Sequence, residues 1–441
     1  MIRINYIIFF FSFALISLLP FTLITGPAIP DISIVLVCLF FLIYLFINRE
    51  FKIFEKNLVI FTLVFWILLI LLNFNSIQAK KSFLETLVFI RILFIPIIIY
   101  YWILTKNKFI LFSLSVIFFS NILVIFDSIY QFLNYDPILG FKEDFFKRNS
   151  DIFYGRLSGP FLDLVPGSYI SKFFIFGFVF LVLTIKKNKR LFLFISIIYL
   201  TLCGLITFIS GERMALATFL LGMLLCIIFI KYYRLLFFTS MALFLLVSGV
   251  IYNYHDHYQN YKIIDSQPSH LGLTIEKYNN KCDNNLNCSK IIKVQPELMV
   301  VLKNFSKSAY GNTFSLAIEM FKSQPLTGIG INNFKYGCEN IKNFERETCW
   351  SHPHNFYLQW LAETGILGLL FFIVYLIIIF KIILIENKDS KYKFLSAIAL
   401  VILFWPIMST GSLFKNWHGI QTFFVLGMSL SLLNIKKVKN I

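Results

Sequence analysis

Apolar segments long enough to cross a hydrocarbon core recur from one end of this chain to the other, and few folds are compatible with that. A membrane-spanning helix needs about 20 consecutive apolar residues. Segments of that kind are read at 6–25, 31–48, 57–74, 83–104, 109–131, 167–185, 191–210, 213–230, 235–252, 355–380, 394–412 and 420–434 of the 441 residues. At 58% hydrophobic and 14% charged residues, the chain is far more apolar than a soluble domain. The expected fold class is all-α, a polytopic integral membrane protein with about twelve transmembrane helices. The first segment reads as a retained helix, because no Ala-x-Ala-like cleavage site follows it. No repeat of roughly 20–50 residues is visible.

The net charge of +17 invites a nucleic-acid reading, which the distribution of the charge argues against. Nineteen basic residues fall in short loops on alternate sides of the segments, among them Arg49, Lys52 and Lys56, Lys186 to Arg190, Lys231 and Arg234, and Lys436 to Lys439. That is the positive-inside pattern of cytoplasmic loops, so both termini are expected in the cytoplasm. The segments 132–166, with four basic and five acidic residues, and 253–353, with eleven and nine, are expected on the other side. The organisation expected is helices one to nine in 1–252, a large periplasmic loop in 253–353, partly helical, and helices ten to twelve in 354–441.

Cysteine usage agrees with this orientation. Cys38, Cys203 and Cys226 sit in apolar segments, whereas Cys282, Cys288, Cys338 and Cys349 share the long loop. Four cysteines in an oxidising compartment permit two disulfides in any of three pairings. A zinc site is the rival reading, and the spacings fit paired Cys-x-x-Cys knuckles poorly. Later in the loop, Phe314, Ala317, Ile318 and Phe321 follow a helical spacing, with Asn312 as the cap and Pro325 as the stop. This predicts a helix lying on the membrane or over a site. The run Gly328-Ile329-Gly330 suits a tight turn or a close backbone approach to a ligand.

The residue of most chemical interest is His354, in Ser351-His352-Pro353-His354-Asn355 at the mouth of the tenth segment. Pro353 suits a first helical turn. A helix N-terminus disfavours a protonated imidazole, so the ring is expected neutral and able to accept a proton. If the helix is regular, Gly365 and Gly368 fall roughly 20° and 40° either side of His354, on a face where a neighbouring helix could pack closely. Asn355, Gln359 and Glu363 form a second stripe that should face protein or water, because a carboxylate is costly in hydrocarbon. A plain interfacial histidine with packing glycines fits the same residues. His352, His255, His257, His270 and His418 read as external or interfacial.

Three arginines stand apart from the cytoplasmic loops. Arg213 starts a helix in Ser210-Gly211-Glu212-Arg213-Met214-Ala215, Arg156 lies in Gly155-Arg156-Leu157-Ser158-Gly159-Pro160, and Arg91 lies within an apolar segment. Guanidinium forks suit diphosphate oxygens. Pairing of Arg213 with Glu212, or of Arg91 with Glu85 or Asp127, would be structural instead.

His354-Asn355, nine further residues, then Gly365-Ile366-Leu367-Gly368 make a pattern that resembles the O-antigen ligases, relatives of the Wzy-type polymerases and bacterial O-oligosaccharyltransferases. Pro325 to Gly330 and Ser210 to Ala215 are similar to segments of the same family, so the resemblance covers roughly the C-terminal half. It implies a bacterial inner-membrane enzyme that moves a glycan from undecaprenyl diphosphate to an acceptor hydroxyl on the periplasmic face, the acceptor in ligases being a lipid A-core sugar. By the same resemblance His354 is the catalytic base, and Arg213, Arg156 and Arg91 match the residues that hold the diphosphate. Asn355, Glu363, Gly365 and Gly368 support them. The family often places a second polar residue beside the motif histidine, whereas here His352 stands two positions away.

The chain has no Asp-x-Asp pair and no Walker-type loop, so a reaction independent of metal, nucleotide and cofactor is expected. A Wzy-type polymerase remains the alternative within this chemistry, and a lipid-linked glycan transporter or flippase the alternative outside it. Neither the glycan repeat nor the acceptor sugar is legible.

Overall fold

A computed structural model describes residues 2–134, 138, 156–255, 275–278, 291–294, 303, 305–340, 349–387, 392–407 and 410–435. Cys282, Cys288, His257 and His270 lie outside them. The described residues form a helical bundle with one short antiparallel pair, β1 (Ile275–Tyr278) and β2 (Ile291–Val294), in which Ile275 faces Val294.

Each of the twelve apolar segments holds a helix, but they are unequal. Among the described residues, eight helical stretches are long and apolar enough to cross a membrane: Ala28–Asn48, Asn57–Asn75, Ala79–Ile103, Asn107–Asn134, Pro166–Thr184, Lys189–Ile209, Lys231–Tyr254 and Phe356–Glu386. A ninth is a pair bent by 47° between Ser17 and Leu19, where Pro20 sits in the first turn of the second piece and so donates no backbone hydrogen bond. The others are short: Arg213–Phe229 has 17 residues, Lys393–Leu403 has 11 and Asn416–Ser431 has 16. The expectation of about twelve full spans is thus met by eight or nine.

We name the helices that carry the argument in chain order: α1 (Asn57–Leu72), α2 (Ala79–Leu93), α3 (Asn107–Asn134), α4 (Pro166–Thr184), α5 (Lys189–Ile209), α6 (Arg213–Phe229), α7 (Ala309–Ser323), α8 (Phe334–Asn340), α9 (Phe356–Lys381), α10 (Lys393–Leu403) and α11 (Asn416–Ser431). Helices α4, α6, α9 and α11 all begin at one end of the bundle, the end that carries His354. The basic loop residues Lys186 and Lys231 lie at the opposite end, where Lys186 stacks over Tyr232.

Helix α7 confirms an amphipathic segment at the expected place with different details. Its cap is Ser308, whose hydroxyl accepts from Gly311 N–H, rather than Asn312. Thr313, Leu316, Ala317 and Met320 form its buried face, while Ile318 is exposed. That face packs with Ile329, Phe334, Cys338 and Ala362 into a small core separate from the bundle core. Cys338 is disulfide-bonded to Cys349.

The decisive feature is a break in α9 at Gly365, whose φ of 64° leaves the helical region. A regular helix would bond Ile366 N–H to the Ala362 carbonyl and Leu367 N–H to that of Glu363. Instead, Ile366 N–H donates to Pro325 O (2.9 Å) and Leu367 N–H to Leu326 O (3.4 Å). The two released carbonyls accept from Ile329 N–H (3.0 Å) and Gly330 N–H (2.9 Å). Each of these four groups would otherwise cost about 1–3 kcal/mol if buried without a partner. Such close apposition explains two glycines: a Cβ on Gly365 would meet the backbone of Leu326 and Thr327, and one on Gly328 the backbone of Glu363 and Thr364.

The helical-wheel expectation for the glycines therefore fails. Gly365 interrupts the helix, so angles counted through it do not hold, and it meets a loop rather than a helix. A Cβ on Gly368 would meet the Thr364 side chain of its own helix. Of the glycines of 328–330, Gly328 approaches the backbone of α9, while a Cβ on Gly330 would meet Ser76 and Ser82.

Gly365→Ala should lower the melting temperature of the detergent-solubilised protein clearly. A backbone at φ 64° and ψ −168° is adopted readily by glycine alone and costs alanine about 1–3 kcal/mol before any clash. Gly249→Ala, at a helical position with open space around it, should be neutral or slightly stabilising; equal melting of the two variants would refute the role given to the break.

Candidate active site

His354 does not sit in the first helical turn as expected. Helix α9 starts at Phe356, Asn355 caps it by accepting from Leu358 N–H (3.1 Å), and His354 precedes the cap with φ 56°. Left-handed backbone is uncommon outside glycine, though histidine is among the residues that tolerate it. Contacts on both sides hold it there: Thr410 N–H donates to the His354 carbonyl (2.9 Å) and Asn355 Nδ2 donates to the Pro406 carbonyl (2.8 Å). The imidazole meets Trp350 edge to face at 4.6 Å and Tyr310, in the first turn of α7, at 5.7 Å. Helix α7 thus lies over the site, as its position in the loop suggested.

The stripe below it faces protein. Gln359 donates to Ser412 Oγ (2.6 Å) and Glu363 Oε2 (3.4 Å), and its carbonyl oxygen accepts from Leu413 N–H (3.2 Å). The buried Glu363 carboxylate accepts from Asn332 N–H (3.0 Å) and Phe334 N–H (3.2 Å). Its hydrogen-bonding capacity is spent on holding the 328–334 loop, which makes it a positioning residue for the site.

The arginines separate into two groups. Arg156 is at the site: its charge acts on His354 and on Glu212. Its Nη2 donates to Leu164 O (2.8 Å), while its Nε is buried without a partner. The segment is fixed by Gln131 of α3, whose carbonyl oxygen accepts from Ser158 N–H (3.0 Å) and Gly159 N–H (2.8 Å). Arg213 opens α6 next to this cluster. Arg91 is committed elsewhere: it bonds Asp31 (2.7 Å) and Asn416 (3.1 Å), tying three helices together. Asp31 is the partner rather than Glu85 or Asp127, because the choice is made between helices distant in sequence.

Glu212 caps α4 rather than serving as a surface charge. Its carboxylate accepts from Gly167 N–H (2.6 Å), Ser168 N–H (3.2 Å) and the Ser168 hydroxyl, the favoured place for an anion at a helix start. Burial pushes its pKa up, with the Arg156 charge and these hydrogen bonds opposing.

Three further groups escaped the sequence reading. The His352 ring lies 4.2 Å from that of His354, centroid to centroid. His418, on the first turn of α11, lies within electrostatic reach of Lys172 and of both histidines, which act on it. Lys172, in the second turn of α4, donates to Gln421 of α11 (2.8 Å). Lys172 alone left a signal, as a lone charge in an apolar helix, which is a mark of function or pairing. The histidines left none, since they meet only through the folded chain.

Burial, together with the Arg156 charge, holds His354 down to about 4, and burial and the neighbouring His354 hold His352 down to about 3. Both rings are therefore neutral near pH 7; the neutral state expected of His354 arises from burial and the Arg156 charge rather than from a helix dipole. A neutral imidazole next to a cationic cluster can take a proton from a hydroxyl while the cations stabilise a departing anion. Among the described residues no group of three or more His, Cys, Asp or Glu side chains is arranged to hold a metal ion.

A helical bundle long and apolar enough to span a membrane, with a neutral histidine among cations, defines an integral membrane protein with a candidate enzyme site. Residues 198–373 match the O-antigen ligase family model, which supports an O-antigen ligase family assignment for this part of the chain. The match contains Glu212, Arg213, His354, Glu363 and Gly365; Arg156, Lys172 and His418 fall outside it. The match points to a membrane enzyme of glycosyltransferase type, of the ligase or polymerase kind. No curated protein matches the chain.

The lowered His354 pKa fixes a pH dependence. The ring is neutral above about 4 and takes a proton only as the pH falls through that value. The acid limb of kcat/KM, which reports the free enzyme, should therefore lie well below the ordinary histidine value of about 6.5. In kcat it should move upward, because a bound diphosphate favours imidazolium. A kcat/KM limb at or above 6.5 would contradict this environment.

Proposed function

We propose that this protein transfers a glycan from undecaprenyl diphosphate to a lipid A-core sugar hydroxyl on the periplasmic face of a bacterial inner membrane, that is, it acts as an O-antigen ligase. The observation that carries the reading is the His354 ring, set against Trp350 and Tyr310 and within reach of the Arg156 charge, in a chain that carries an O-antigen ligase domain. The side of the membrane follows from the basic loops at the opposite end of the bundle.

The step is a single displacement. The acceptor oxygen attacks the anomeric carbon and passes its proton to His354. The bond from that carbon to the diphosphate breaks, and its electron pair leaves with the diphosphate. Arg156 and Arg213 stabilise the charge that gathers there. Attack opposite the leaving group inverts the anomeric centre. Arg91, engaged by Asp31 and Asn416, serves this chemistry by fixing the start of α11 rather than by touching the diphosphate.

His354→Ala should reduce transfer by about 10²–10⁴-fold, with protein level and donor lipid unchanged; a variant that transfers at the normal rate refutes the base assignment. Gel analysis of lipopolysaccharide from a deletion strain distinguishes the two acceptors. Loss of a ligase leaves bare core with long lipid-linked chains, and loss of a polymerase leaves core bearing a single repeat. Product formation by purified protein supplied with donor and acceptor would exclude a pure transporter.

A further inference from the structure

We propose that Lys172 and Gln421 form an inner anion subsite that takes the lipid-proximal phosphate of the donor, an assignment that rests on the reading that the donor is a lipid diphosphate. Ser168 and Lys172 are one turn apart on the same face of α4. The Ser168 hydroxyl donates to Glu212, so Lys172 lies on the Glu212 side of the helix and interacts electrostatically with it. From α11, Gln421 accepts from Lys172 Nζ through its carbonyl oxygen (2.8 Å). Gln421 is fully buried, and its Nε2 has no hydrogen-bond partner, nor does Nδ1 of His418 one turn earlier. A buried amide donor without an acceptor, at hydrogen-bond range of a lysine, is the arrangement an oxyanion completes.

Charge balance points the same way. Arg156 and Lys172 both interact with Glu212, so two cations share one carboxylate. The hydrogen bonds of that carboxylate go to Gly167 and Ser168. A cation in an apolar helix is costly without a counter-ion, and one phosphate would supply it. Depth assigns which phosphate. Lys172 lies about 9 Å inward from the start of α4 at 1.5 Å per residue, whereas His354 and Arg156 lie at the helix starts. The phosphate bearing the sugar belongs beside His354 and Arg156. The one bearing the isoprenoid, whose tail continues into the membrane, belongs beside Lys172 and Gln421.

The test compares undecaprenyl diphosphate with undecaprenyl phosphate, measuring binding to the purified full-length protein in nanodiscs by native mass spectrometry. Both lipids carry the isoprenoid-bearing phosphate, so both should engage Lys172, and wild type should prefer the diphosphate through its second phosphate. Lys172→Met should weaken both lipids by about tenfold or more, the scale of one charge-assisted hydrogen bond, with the preference for the diphosphate kept, and Lys172→Arg should recover much of the loss. Gln421→Leu keeps the Lys172 charge and should weaken both lipids in the same direction, which leaves the proposal testable if Lys172→Met does not fold. Unchanged binding of undecaprenyl phosphate by Lys172→Met or Gln421→Leu of wild-type melting temperature, or loss of the diphosphate preference alone in either, would overturn it. Transfer assays separate the two readings. A wild type that binds the diphosphate through Lys172 but transfers no glycan defeats the proposed function alone, and a Lys172→Met enzyme with normal donor KM defeats the subsite alone.

Discussion

At the depth of a membrane, a helix that breaks must give its freed backbone groups new partners, because no water is there to take them. Helix α9 breaks at Gly365 and meets this demand through the Pro325–Gly330 segment, which accepts two N–H groups and supplies two to the released carbonyls. The rest of the site depends on that exchange. Glu363 can then turn its carboxylate to Asn332 and Phe334. The same loop reaches α1 and α2, where Ile331 N–H meets Asn73 (3.4 Å) and the Ser82 hydroxyl meets the Ile331 carbonyl (3.0 Å). The first two turns of α9 are thereby held to the loop and to the bundle together, and His354 hangs from their start.

The electrostatics complement that scaffold. Helices α4, α6, α9 and α11 begin at one end, and each contributes the positive end of its dipole. Glu212 compensates one of them by capping α4. Arg156 and Lys172 both interact with it, and the nearby His352, His354 and His418 gain nothing from protonation beside such cations. Burial and the Arg156 charge together keep the His354 ring unprotonated, and the same cations make the site favourable to an anion.

Much of this was legible in the sequence, for reasons that can be named. Apolar runs mark helices wherever lipid is the solvent, so the helix positions, the start of α9 and the buried stripe of Asn355, Gln359 and Glu363 could be read directly. Arg156 and Arg213 stood out as charges away from the basic loops. The break at Gly365 was hidden, because a glycine in an apolar run leaves hydropathy unchanged and α9 continues on both sides of it. The partner of Arg91 and the gathering of His352, His418 and Lys172 were hidden for another reason. Asp31 and Asn416 are separated from Arg91 by 60 and 325 residues, and no local pattern encodes contacts at such separations.

The exchange at Gly365 also has a dynamic consequence. The amides of Ile329, Gly330, Ile366 and Leu367 bond across a single seam, so lifting the Pro325–Gly330 segment strips partners from both sides together. Opening there is one cooperative event rather than a gradual fraying, and hydrogen exchange at the four amides should share one protection level. The end of the protein that carries His354 would then alternate between assembled and disassembled, with little in between.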